Sequence, residues 1–121
     1  MAKSALIVDD SDVMRQVVGY TLREAGFEVT EAGDGKQALG KLDAGTYNLI
    51  ITDLNMPVMD GVTFIGHARK HPLQRYTPIL MLTTESQESK RQQGKAAGAT
   101  AWMVKPFDPD RLMAVVAKVV R

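Results

Sequence analysis

Acidic side chains come directly after two apolar runs of this sequence. Asp9 and Asp10 follow residues 5–8, and Asp53 follows residues 48–52. If both runs are parallel strands, their carboxyl ends meet at one edge of a sheet, where open α/β folds bind ligands. Three carboxylates in one crevice repel one another unless a cation lies between them. The spacing therefore predicts a cation site.

Mg²⁺ suits these donors, because it prefers oxygen ligands and is usually held by one or two carboxylates, water and a phosphate. Asp10 and Asp53 would supply the carboxylates. The irregular loop of residues 54–61 follows, and its backbone carbonyls, that of Asn55 above all, are free to face the crevice. We therefore expect Mg²⁺ to be the cofactor.

Two further polar residues at strand ends would assist phosphoryl chemistry. One apolar run ends at Thr83, and another, residues 101–104, precedes Lys105. A carboxylate such as Asp53 can attack phosphorus to form an acyl phosphate. The transfer requires in-line positioning and positive charge near the phosphoryl oxygens, which Mg²⁺ and Lys105 would provide, with a hydrogen bond from Thr83. Asp53 is thus a candidate metal ligand or nucleophile.

Each of these residues also has an ordinary structural explanation. Acidic residues before Ser11 favour the dipole of a following helix, and polar residues at strand ends are common in loops. Their joint occurrence at successive strand ends is what favours a site. By the same ordinary reasoning, Trp102 is expected in the core.

The elements that position these residues alternate along the chain. Apolar runs are separated by amphipathic stretches, which is typical of repeated βα units. The strands are predicted at residues 5–8, 28–32, 48–52, 79–83 and 101–104. The second is the most polar, which suits the edge of the sheet. These features predict an α/β fold with helices on both faces of a parallel sheet.

Five helices are predicted between and after the strands. The first is capped at Ser11 or Asp12 and stops at Gly26. Its apolar positions are Val13, Val17, Thr21 and Ala25, with Met14, Val18 and Leu22 alongside. The last has Asp108 as its cap and Pro109 at its first position. The fourth, residues 85–95, has no large apolar residue, so it is either weakly anchored or simply solvent-facing.

Length and composition predict one globular domain over residues 1–121. Apolar residues make up 45% of the chain, and the net charge is +1. So small a charge argues against a dedicated nucleic-acid binder, and no apolar run approaches a membrane span. Because the sequence has no cysteines and no evident leader segment, the expected location is cytoplasmic.

Four ordered motifs resemble the receiver domain of two-component response regulators. They are Asp9-Asp10, Asp53 with its loop to Asp60-Gly61, Thr83-Thr84-Glu85 and Lys105-Pro106-Phe107. The resemblance covers the whole chain and is closest to the stand-alone chemotaxis regulators. It implies a flavodoxin-like, three-layer doubly wound (βα)5 fold whose five parallel strands have the order 2-1-3-4-5.

The resemblance also implies how the site works. Asp53 would accept a phosphoryl group from a phosphohistidine of a histidine kinase, CheA-like in chemotaxis. Mg²⁺ would be bound by Asp10, Asp53 and the Asn55 carbonyl, with Asp9 acting through water. Lys105 would contact the phosphoryl group. The protein would be a phosphoacceptor that reacts with small phosphodonors and loses the group again, not an enzyme.

A switch at the surface is implied as well. Thr83 would move toward the phosphoryl group and let Trp102 turn inward, which reshapes helix four, strand five and helix five. That surface would bind an output target, a flagellar motor switch protein in chemotaxis, and a phosphatase is a further possible partner. Asn55 and Glu85 would tune a short phosphoryl lifetime. The protein would be a monomer, and the Lys105-Pro106 bond would be cis.

Three other functions stay open from the residues. A stand-alone phosphorelay intermediate would hand the group to another histidine protein. A Mg²⁺-dependent phosphohydrolase would turn over phosphomonoesters through an aspartyl phosphate, although the sequence offers no evident substrate pocket. A nucleotide-binding role is least favoured, because no glycine-rich phosphate loop follows the first strand.

Overall fold

The computed structural model describes residues 2–84 and 88–120, and five strands in these ranges form one parallel sheet. The strands are β1 (Ser4–Val8), β2 (Glu28–Ala32), β3 (Leu49–Asp53), β4 (Ile79–Thr83) and β5 (Ala101–Val104). Their order across the sheet is β2-β1-β3-β4-β5, and every neighbouring pair is parallel. The predicted α/β fold and strand order are confirmed.

Helices alternate with the strands in the described ranges. They are α1 (Asp12–Glu24), α2 (Gly35–Lys41), α3 (Gly61–Lys70), α4 (Glu88–Ala97) and α5 (Pro109–Val119), and a 3-10 turn (Leu42–Ala44) follows α2. Side chains cap four of them by accepting an amide proton three residues on, at Ser11, Asp34, Asp60 and Asp108. No described helix combines the length and apolar content that crossing a membrane requires.

The central strands β1, β3 and β4 carry apolar side chains on both faces, and these are fully buried. On one face Leu6 and Ile50 pack in a cluster with residues of α2 and α3, and on the other Ile7 and Ile51 pack with residues of α1 and α5. Each such side chain stabilises the fold by about 1.5–3 kcal/mol. The sheet is therefore the middle of three layers.

Helix α1 buries a narrower face than the sequence predicted. Val18, Thr21 and Leu22 are buried, but Val13 is 70% exposed and Val17 is 44% exposed. The prediction that Val13 and Val17 point inward is wrong. Val18 and Leu22 already occupy the contact with the sheet, so Val13 and Val17 are turned toward solvent.

Strand β3 begins and ends one residue later than predicted. Asn48 precedes the strand, and its Oδ1 accepts the amide of Ser4 at 2.8 Å. Asp53 is consequently the last residue of β3 and not the first residue of a loop. The strand itself fixes the backbone of Asp53.

Among the described helices, α4 buries the least, because Gly94 is its one buried residue. A Cβ added at Gly94 would lie 2.1 Å from the Met81 sulfur, so the helix backbone packs directly on β4. Just beyond the helix, the carbonyl of Gly98 accepts a hydrogen bond from Arg69 Nε at 2.8 Å. The contacts of α4 therefore concentrate near its C-terminal end, which fits the weakly anchored interpretation.

Candidate functional site

Asp9, Asp10 and Asp53 meet at the carboxyl end of the central strands. β1 and β3 are neighbours whose register pairs Val8 with Thr52, so the residues that follow, Asp9 and Asp53, lie side by side. One carboxylate oxygen from each of the three residues lies within 4.8 Å of the others. Asp9 is fully buried, Asp53 is 7% exposed, and Asp10 is open to solvent. Strand register therefore brings the predicted carboxylates together.

Both carboxylate oxygens of Asp9 are engaged within the protein. Oδ1 accepts the amide of Ser11 at 2.9 Å, and Oδ2 lies 3.3 Å from Lys105 Nζ. The backbone carbonyl of Asp9 accepts a hydrogen bond from the Arg15 guanidinium at 2.5 Å. Of the three residues, only Asp10 and Asp53 face the open cavity at this edge of the sheet, so they are the carboxylates that a cation can contact directly.

Lys105 lies between the buried carboxylates. Its Nζ is 3.5 Å from Asp53 Oδ2 as well as 3.3 Å from Asp9 Oδ2. Burial raises the pKa of Asp53 above the ordinary value of 3.8, the Lys105 charge opposes this, and the charge of Asp9 adds to it. Lys105 is the one lysine within ion-pair distance of any of the three carboxylates in the described part of the chain, so the hard-oxygen donor set fits a divalent cation such as Mg²⁺. The Lys105–Pro106 bond is cis, as the resemblance implied.

The loop between β3 and α3 places Asn55 in the wall of the cavity that Asp10 and Asp53 also line. Asn55 is exposed, and its carbonyl accepts no backbone hydrogen bond from the described residues, so it is free to act as a ligand. Gly61 shapes the loop, because its amide donates to the Leu54 carbonyl at 2.9 Å. A Cβ on Gly61 would lie 2.2 Å from the Asp53 carbonyl oxygen. Only glycine allows this close approach.

Thr83 ends β4 beside the three carboxylates, but its hydroxyl is directed toward β5. The residue is 1% exposed, and Oγ1 donates to the Met103 carbonyl at 3.2 Å. The hydroxyl therefore has a partner on β5 that it would have to leave in order to reach a group bound to Asp53.

Trp102 lies on the edge strand β5 and is 40% exposed. The guanidinium of Arg91, on α4, lies 4.7 Å from the centre of the ring, which is a cation–π contact. The expectation that Trp102 belongs to the core is wrong, because the outer part of an edge strand is only partly covered. Met103, the next residue along β5, fills the core position instead.

A cavity of about 630 Å³ opens at this edge of the sheet. It is lined by Asp10, Asp53, Asn55, Thr84, Ser89, Lys90 and Lys105. Thr84, Ser89 and Lys90 were not predicted from the sequence to lie in the cavity wall. Their placement could have been inferred only from the position of α4 directly after β4. The beginning of a helix that follows a parallel strand lies at the ligand-binding edge of the sheet. Glu85, which was predicted to tune phosphoryl lifetime, lies outside the described residues.

Comparison with known families matches residues 5–117 to the response regulator receiver domain. The chain is 34% identical over 121 residues to the phosphate regulon transcriptional regulatory protein PhoB of Escherichia coli (strain K12). That alignment covers all of this chain and 53% of PhoB, so the chain spans about half the length of this relative.

Two solved structures show the same fold over nearly the whole chain. The chemotaxis response regulator CheY4 of Vibrio cholerae has a TM-score of 0.93 and 47% identity, with 99% of this chain and 100% of that chain covered. The receiver domain of the sensor histidine kinase PA1611 from Pseudomonas aeruginosa has a TM-score of 0.89 and 28% identity, with 98% of each chain covered. Its structure contains a magnesium ion coordinated in the active site cleft.

Proposed function

Because this chain belongs to the response regulator receiver domain family, we propose that it is switched by phosphorylation at Asp53. Receiver domains are signalling phosphoacceptors of two-component systems and not classical enzymes. One observation carries the assignment of Asp53: its carboxylate lies in the wall of an open cavity with Lys105 Nζ 3.5 Å away. A nucleophilic carboxylate beside a fixed ammonium is the arrangement that phosphoryl transfer needs.

Asp10, Asp53 and the carbonyl of Asn55 would hold Mg²⁺, with Asp9 acting through water. The bound metal would neutralise charge on the transferring phosphoryl group. The complete burial of Asp9, outside the cavity wall, supports an indirect role for that residue. The magnesium ion in the PA1611 receiver domain supports the choice of metal.

Phosphorylation would change the hydrogen-bond partners of the residues around Asp53. Lys105 would contact the phosphoryl group in place of the bare carboxylates, and Thr83 would exchange the Met103 carbonyl for a phosphoryl oxygen. Trp102 would then turn inward and leave Arg91, which reshapes the α4-β5-α5 surface. The added charge favours a conformation that an output partner selects further. Asn55, at the rim, and Glu85 would set the phosphoryl lifetime, which we expect to be short.

The cellular role that fits best is chemotaxis. The chain matches CheY4 over that protein's full length at 47% identity, whereas it matches PhoB at 34% over about half of PhoB. Like the stand-alone chemotaxis regulators that its motifs resemble, the receiver domain would work as a cytoplasmic monomer. A CheA-like histidine kinase would supply the phosphoryl group, a flagellar motor switch protein would be the output target, and a phosphatase would assist its removal. The alternative is a stand-alone phosphorelay intermediate, which back-transfer of the phosphoryl group to a histidine phosphotransfer domain would reveal.

The test is intact-mass spectrometry after incubation with Mg²⁺ and acetyl phosphate. We expect the wild type and Asp110→Asn, which changes an exposed carboxyl on α5, to gain a single phosphoryl group. Asp53→Asn should gain none, and chelation of Mg²⁺ should prevent the gain in the wild type and in Asp110→Asn. Phosphorylation of Asp53→Asn to the wild-type level would reject the assignment.

A further inference from the structure

The cavity beside Asp53 contains a second lysine that the proposed transfer does not use. Lys90, in the first turn of α4, lines the same cavity as Asp53 and Lys105. It is partly buried, whereas Lys95, later on the same helix, is exposed and does not line this cavity. Two lysines on one helix therefore differ in whether they face the candidate phosphoryl site.

The charge of Lys90 is not committed to a carboxylate in the described part of the chain. Lys105 forms ion pairs with Asp9 and Asp53, but none of the ion pairs within 4.0 Å among the described residues includes Lys90. Its charge does reach Asp60, whose pKa is lowered first by the Thr63 amide and then, in smaller part, by Lys90. Lys90 is thus a cation in the cavity wall that has no ion-pair partner among the residues that the structure describes.

We propose that Lys90 is a second phosphate-binding residue, which draws an anionic phosphodonor into the cavity and then contacts the phosphoryl group on Asp53. The inference rests on the proposed function. In the transfer from acetyl phosphate, an Asp53 oxygen forms a new bond to phosphorus. The bond between phosphorus and the acetate oxygen breaks, and acetate leaves with that electron pair. Lys90 takes no part in bond exchange, so it is a positioning residue.

The position of Lys90 on α4 gives this contact a second consequence. The helix is packed against Met81 at Gly94 and followed by the Arg69 contact at Gly98, whereas none of the described residues in its first turn is buried. A phosphoryl group on Asp53 would attract Lys90 and draw the N-terminal end of α4 toward the cavity. Lys90 would thereby connect the phosphorylated site directly to the α4-β5-α5 surface.

The experiment compares the rate of phosphorylation by acetyl phosphate in the wild type, Lys90→Gln and Lys95→Gln at saturating Mg²⁺. Both variants lose one positive charge from α4, but only Lys90 faces the cavity. Lys90→Gln should react about tenfold more slowly, in line with the loss of one charge-assisted contact, and its rate should depend less on salt. Lys95→Gln should stay within about twofold of the wild type. Lys90→Arg should recover most of the rate, because it restores the charge.

The possible results separate the two proposals. If the wild type gains no phosphoryl group, or Asp53→Asn gains one equally, the proposed function fails and the inference fails with it. If only Asp53 is phosphorylated but Lys90→Gln matches the wild type in rate and salt dependence, the proposed function stands and the role of Lys90 is rejected. A Lys90→Arg variant as slow as Lys90→Gln would likewise reject a role for the charge.

Discussion

The negative charge of Asp53 is poorly compensated by the residues around it. Its carboxylate is buried, lies beside the buried carboxylate of Asp9, and has one ammonium, that of Lys105, for the pair. Burial and the Asp9 charge raise its pKa despite the opposing charge of Lys105. A raised pKa means that the folded protein favours the neutral carboxyl, so the ionised form opposes folding at neutral pH. The carboxylates that would bind a cation therefore lower the stability of the folded protein when no cation is bound.

We therefore predict that Asp53→Asn raises the free energy of unfolding at neutral pH in the absence of Mg²⁺, because it removes a buried charge that the folded state disfavours. The gain should be present above the folded-state pKa of Asp53. It should shrink as the pH falls through the folded-state pKa of Asp53 and vanish below 3.8, the ordinary pKa, where Asp53 is protonated in both the folded and the unfolded state. Urea unfolding of the wild type and Asp53→Asn, at neutral pH and below pH 3.8, measures the difference in the free energy of unfolding. Glu28→Gln, at an exposed position, should change little, and a destabilised Asp53→Asn at neutral pH would contradict the argument.

Val58, in the loop that carries Asn55, has an unfavourable backbone conformation. Its φ is 70°, in the left-handed region, where a β-branched residue is strained by about 1–2 kcal/mol. Its side chain is 76% exposed, so little packing compensates. We predict that Val58→Asn raises the melting temperature, whereas Val58→Ala, which keeps the Cβ but has less tolerance for this region than Asn, gains less. Equal effects of the two substitutions would argue against backbone strain.

At the scale of elements, the site depends on how closely α3 approaches the end of β3. Gly61, the first residue of α3, packs against the carbonyl oxygen of Asp53 at a distance that no side chain can occupy. Asp60 caps the same helix by accepting the amide of Thr63 at 2.9 Å. The Asp-Gly pair in the loop therefore has a physical role, since Asp60 starts the helix and Gly61 allows it to touch the strand.

Gly61→Ala should accordingly be strongly destabilising, by more than about 2 kcal/mol, because the added methyl group would collide with backbone atoms that cannot rotate away. Gly66→Ala is the matched control in the same helix, since a Cβ there meets nothing within 4 Å. The control should be neutral or more stable, by up to about 1 kcal/mol. Chemical unfolding of both variants decides this, and similar stabilities would contradict the close approach.

The sequence predicted the elements well where one physical signal dominated. Continuous apolar runs identified the central strands, and Asp108 before Pro109 identified the start of α5. It failed where two signals competed, because Val13 and Val17 match the helical period as well as Val18 and Leu22 do. Trp102 was misplaced for a different reason, since an edge strand leaves room for a large ring outside the core. The cavity-facing position of Lys90 depends on the angle of α4, which no local pattern encodes.

At the scale of the whole molecule, a rigid sheet lies next to a weakly packed helix, and the candidate site lies where they meet. The central strands are buried on both faces, while α4 buries only Gly94 among its described residues. Elements with little buried surface move at the lowest cost in free energy. A charge added at Asp53 should therefore leave the sheet unchanged and shift α4 together with the face that contains Arg91 and Trp102.

The most direct test of this coupling is the fluorescence of Trp102, the one tryptophan in the chain, recorded while Mg²⁺ and acetyl phosphate are added. Intact mass measured in parallel gives the phosphorylated fraction. We predict a fluorescence change in the wild type that follows the phosphorylated fraction and reverses as the group is lost, with no such change in Asp53→Asn. A wild-type protein that is fully phosphorylated with unchanged fluorescence would contradict the coupling between Asp53 and the α4-β5 face.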